Sequence, residues 1–69
     1  MCVRVFLADD AEIMRRAIRD LLSERDDIKI VGEAATFTET IQKTTELQPD
    51  EIILTCVWQN VKTGIYPLA

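Results

Sequence analysis

Histidine is absent from this 69-residue sequence. With it go the commonest general base and the commonest zinc ligand. Cysteine occurs twice, at Cys2 and Cys56, too few for a disulfide framework and without C-x-x-C spacing. No G-x-G-x-x-G follows the first apolar run, which argues against a dinucleotide-binding turn. The longest uncharged stretch, Ile52–Val61, is far short of a membrane span. The N-terminal apolar run breaks at Asp9, too early for a secretory signal. Lysine and arginine total 8 against 12 acids, for a net charge of −4. Only Arg15–Arg16 are adjacent, so no basic stripe points to nucleic acid. One small, soluble, cytoplasmic domain without membrane contact is expected. A chain 48% hydrophobic and 29% charged is globular in composition.

What is present is organised around Val3–Asp10, VRVFLADD. Five of its first six residues are apolar, the pattern of a strand buried on both faces. It ends on adjacent carboxylates, Asp9 and Asp10. Two acids at the end of a buried strand repel each other and lose water, which favours a cation or a hydrogen-bonding partner. Equally open is a plainer role, with Asp9 capping the next helix and Asp10 in its first turn.

Ala11–Arg25 carries Ile13, Met14, Ala17, Ile18, Leu21 and Leu22 at helical spacing, which predicts a helix with one buried face. Asp9-x-x-Glu12 matches a capping box, and Glu12 and Arg16 are placed to pair. Arg15, Arg16 and Arg19 read as a solvated basic flank. Ser23–Asp27 is a loop. Ile28–Ala34, IKIVGEA, sets Ile28, Ile30 and Gly32 against Lys29, Val31 and Glu33, a strand with one more exposed face and so an edge. Thr36-x-x-Glu39 is a second capping box. The helix after it, Phe37–Gln48, offers Phe37, Thr40, Ile41, Thr44 and Leu47 as its buried row. β-Branched threonines make it the weaker helix. Pro49 ends it. Glu51–Thr55 opens a third buried strand. From Cys56 to Ala69 the only charge is Lys62, no period is evident, and Trp58 and Tyr66 have no assignable place.

Strand, helix, strand, helix, strand with short connections predicts parallel strands with right-handed crossovers. Asp9, Asp10 and Thr55 would then meet at the C-terminal edge, where open α/β sheets bind ligands. Cys2 and Cys56 would lie at opposite ends, roughly 20 Å apart at ~3.3 Å per residue. That is beyond the ~7 Å limit for a disulfide.

In order and spacing, VRVFLADD at 3–10, the Leu21–Leu22 helix end, IKIVGEA at 28–34 and LQPDEIIL at 47–54 resemble the N-terminal half of a response-regulator receiver domain. The likeness is greatest to receivers that precede a helix-turn-helix output domain. It implies a flavodoxin-like, doubly wound parallel sheet in a bacterial two-component phosphorelay, here β-α-β-α-β and truncated after the third strand. Residues 1–55 would be the N-terminal half of a receiver, and 56–69 an unassigned tail foreign to the family. The resemblance implies that Asp9 and Asp10 hold Mg2+ and that a sensor histidine kinase is the partner. The family's phospho-acceptor aspartate falls at Thr55.

That threonine bears on function. A neutral hydroxyl cannot attack a phosphohistidine as a carboxylate does, and it brings no charge to a metal. Two carboxylates remain of the usual three, which weakens magnesium binding. CVWQN follows where the family has an apolar residue, any residue, then Met-Pro and an acid. A frameshifted or misjoined end after Leu54 is one reading. Another is a phosphorylation-independent interaction module, and a third is a small Mg2+-dependent phosphotransferase with Asp9 as nucleophile. With strand order second, first, third, the outer edge of the third strand lies open, so self-association through Ile52, Ile53 and Leu54 is expected.

Overall fold

The computed structural model describes residues 2–55 and 64–67. The chain runs β1 (Val3–Ala8), α1 (Glu12–Leu22), β2 (Ile28–Ala34), α2 (Phe37–Leu47), β3 (Glu51–Leu54) and β4 (Gly64–Pro67). The sheet order is β2-β1-β3-β4. β1 is parallel to both β2 and β3, as the short connections predict. β2 is an edge, as its mixed polarity suggested.

β4 corrects the expectation of a sheet that ends at β3. Gly64–Pro67 pairs antiparallel with β3, setting Ile53 opposite Ile65 and Leu54 opposite Gly64. The edge expected to self-associate is therefore occupied by the chain's own later residues. Within the stretch left unassigned, this segment satisfies the backbone groups that β3 would otherwise leave open. Trp58 and Cys56 lie outside the described residues, so the expected separation of the cysteines does too. Cys2 is exposed and unpaired.

One face of the sheet closes on α2. Phe6, Ala8, Ala34 and Leu54 are each at most 3% exposed and pack with Leu47 and Ile52. Gly32 lets α2 approach this closely: a Cβ there would stand 2.7 Å from Leu47 Cδ1 and 3.0 Å from Phe6 Cε2. The Thr36 cap forms as expected, its hydroxyl oxygen accepting from the Glu39 N–H at 3.1 Å. The buried row of α2 is narrower than the spacing suggested. Thr40 is buried and Leu47 half-buried, while Phe37 and Ile41 are exposed. Thr40 and Thr44 avoid stranding their hydroxyls by donating to Thr36 O at 2.8 Å and Thr40 O at 2.6 Å. At the other end Gln48 adopts a left-handed conformation, φ 48°. Arg4, the one charge within β1, donates to Gln48 O at 3.0 Å and Leu47 O at 2.6 Å. It thereby satisfies carbonyls that a helix C-terminus leaves without partners.

The other face is covered by α1, but none of the α1 residues is buried. Ile13 is 79% exposed and Leu21 69%, against the expectation of a buried stripe. The helix ends at Leu22, where the polar Ser23–Asp27 loop was expected to begin, and the Ser23 hydroxyl donates to Asp20 O at 2.8 Å. Glu12 and Arg16 do not pair among the described residues. The basic flank is not wholly solvated either. Glu33 receives Arg19 Nη1 at 2.7 Å and Arg15 Nε at 3.3 Å. A register shift accounts for this contact. β2 pairs Ile30 with Val5 but Gly32 with Phe6, leaving Val31 as the extra residue of a bulge. The bulge turns Gly32 towards α2 and Glu33 towards α1, the reverse of the simple alternation.

Candidate functional site

The parallel register sets Ala8 opposite Leu54, so Asp9 and Thr55 leave adjacent strand ends side by side. Their backbones are tied to their neighbours. Thr55 N–H donates to Ala8 O at 3.2 Å, and Asp9 N–H donates to Ala34 O at 3.1 Å. Asp9 is 3% exposed, whereas Asp10 faces solvent. The two adjacent acids thus occupy different environments.

Both carboxylate oxygens of Asp9 are engaged. Oδ1 accepts the Ala11 N–H at 2.6 Å, and Oδ2 accepts the Thr55 hydroxyl. The capping box expected at Asp9 is not made. α1 begins with Ala11 at the cap position and no side-chain cap, because the Asp9 carboxylate is held between the turn and β3. Burial pushes the Asp9 carboxyl up, but the Thr55 hydroxyl and the Ala11 amide, with Arg15 nearby, hold it below the ordinary aspartate value. Arg15 Nη1 also donates to the Asp9 carbonyl at 2.6 Å.

Beside this pair is a crevice of about 160 Å³ lined by Arg15, Glu33, Ala34, Ala35, Glu39 and Lys43. Lys43 Nζ donates to Glu33 O at 3.0 Å and lies 3.6 Å from Glu39. Sequence reasoning missed Glu33 and Arg4. Arg15 and Arg19, one helical turn apart, are the signal that a facing acid was available. For Arg4, the signal is a charge within an otherwise apolar strand.

Among the described residues no group of three or more His, Cys, Asp or Glu could hold a metal ion, and no buried side-chain N or O lacks a partner. No described helix is long and apolar enough to cross a membrane.

A mostly parallel α/β sheet, with acids gathered at the C-terminal end of its central strand, is the architecture of a flavodoxin-like receiver. The response regulator domain of Thermotoga maritima CheB matches it with a TM-score of 0.70 and 36% identity, over 72% of this chain and 37% of that one. Response regulator protein VraR of Staphylococcus aureus is 38% identical over 61 residues, 88% of this chain. A protein-glutamate methylesterase/protein-glutamine glutaminase of Methanococcoides burtonii is 38% identical over 52 residues, 75% of this chain. No protein-family model matches. Over the matched segment the chain belongs to the response-regulator receiver family. It spans 29% of the length of VraR and 15% of the methylesterase.

Proposed function

We propose that this chain is a receiver-type module of two-component phosphorelay signalling that accepts no phosphoryl group, because Thr55 stands where the acceptor aspartate belongs. The observation that carries this reading is the Thr55 hydroxyl beside Asp9, at the end of β3. A carboxylate acceptor attacks as an anion. A threonine hydroxyl must lose its proton as it attacks, and the nearest base is Asp9. Asp9 is a poor base, since its own hydrogen bonds hold its carboxyl below the ordinary value. The module is then non-catalytic and works by binding, with a sensor histidine kinase as the partner class that the family suggests. The receiver pattern giving way after Leu54 belongs to the same reading.

Magnesium is the cation that the family's acid pair implies. When bound, a hard cation neutralises phosphoryl oxygens. Asp9 and Asp10 are the residues it would meet, but they fit it poorly. Asp9 is buried with both oxygens engaged, and Asp10 is exposed to solvent.

Incubation with acetyl phosphate and Mg2+, followed by intact-mass and peptide mapping, tests the reading. No phosphorylated species is expected. Phosphate on Thr55 would overturn the proposal, and phosphate on Asp9 or Asp10 would favour the small phosphotransferase instead.

A further inference from the structure

We infer that the Thr55 hydroxyl takes over from a divalent cation as the group that joins the ends of β1 and β3, so the fold is complete without a metal ion. The inference rests on the receiver-type placement of Asp9 and Asp10 and concerns cation binding, not phosphoryl transfer.

Two features support it. The first is the direction of the donors around Asp9. The Ala11 N–H points at Oδ1 and the Thr55 O–H at Oδ2, so both oxygens already face partial positive charge. The Arg15 guanidinium, 2.6 Å from the Asp9 carbonyl, adds a full positive charge. An arriving cation would meet this field and would have to displace the hydroxyl to reach Oδ2. The second is the supply of ligands. Hard cations of this size need several oxygens, and magnesium gives up its water reluctantly. Asp10 is exposed, and no third acid joins the pair among the described residues. In exchange the hydroxyl supplies one neutral donor to a buried carboxylate, which needs a partner in any case. The direct Asp9–Thr55 bond spans the same two strand ends that a shared ion would bridge.

Thermal melting of the full chain in EDTA and in Mg2+ tests this, with Thr55→Asp and Thr55→Val alongside. The native midpoint should be the same in both media. Thr55→Val should melt lower than native by an equal amount in both. Thr55→Asp adds a third carboxylate and removes the donor, so it should melt below native in EDTA and recover by about 5 °C in saturating Mg2+. A native midpoint that climbs saturably with Mg2+ overturns the inference, as does a folded Thr55→Asp chain indifferent to Mg2+. If Thr55→Asp stays unfolded in both media, native against Thr55→Val decides. A lower midpoint for Thr55→Val, equal in both media, supports the clasp, and equal melting of the two chains overturns it. A phosphorylated Thr55 in the acetyl phosphate assay would defeat the functional reading while leaving this melting result to stand or fall separately.

Discussion

The two faces of this sheet are held by different forces. On the α2 face, Phe6, Ala8, Ala34 and Leu54 are closed off from water with Leu47 and Ile52 over them. On the α1 face, Val5 and Leu7 are buried in the sheet, but the helix above them buries no residue of its own. What ties α1 down near the functional edge is charge: Arg15 and Arg19 on Glu33, and Arg15 on the Asp9 carbonyl. Burial of apolar surface gives a large, non-directional stabilisation, and ion pairs near solvent give a small, directional one. The α2 side therefore carries the stability of the fold. The α1 side contributes orientation at the strand ends.

If that division is right, the largest effect should come from Phe6→Ala, which empties the centre of the closed face. A loss of about 3–5 kcal/mol is expected, comparable to the whole margin of so small a domain. Circular dichroism should show an unfolded chain, and a cooperative native-like melt would contradict the assignment. Gly32→Ala is next. Leu47 and Phe6 must both shift to admit a methyl group, for a cost of about 1–3 kcal/mol in urea unfolding.

Acid sensitivity sharpens the comparison at the site itself. The Asp9 carboxyl is held below its unfolded value, so its stabilisation is fully present above the unfolded value and is lost as pH falls through the lower folded one. Thr55→Val removes a hydrogen bond that lowers it. The variant should therefore melt below native at neutral pH, and the gap should narrow as the pH falls through the acid range, as read from melting temperature against pH.

On the charged face, Glu33→Gln should cost below about 1 kcal/mol, and the gap from native should narrow as salt is raised. The smallest effect belongs to Ile13→Lys and Leu21→Lys, within about 0.5 kcal/mol of native, because both side chains are already mostly in water. A large loss from either would mean that α1 packs far more tightly than its exposure indicates.

The fold was legible in the sequence where the signal is local. The Thr36 cap is such a case: hydroxyl and N–H lie three residues apart, and nothing distant competes. The matching reading at Asp9 failed because a competitor exists 46 residues away, the Thr55 hydroxyl. Glu33 was assigned to the wrong face because period-two reasoning assumes an unbroken ladder, and one extra residue at Val31 inverts it. The apolar spacing of α1 predicted a helix correctly and its burial wrongly. Periodicity shows that a face exists, not that something covers it. β4 could not be read at all. Four residues without charge or alternation become a strand only because β3 offers them an unpaired edge.

The sequence alone determined the succession from β1 to β3 and its parallel crossovers, because periodicity, caps and turn residues act over a few positions, and its ordered motifs carried the family resemblance. Only the tertiary structure decided which way Glu33 points, what covers the third strand, and that the Asp9 carboxylate is satisfied by a threonine from the far end of the fold. Those outcomes depend on register and on contacts between distant residues, where a single inserted position or an available edge changes the answer and leaves no local trace.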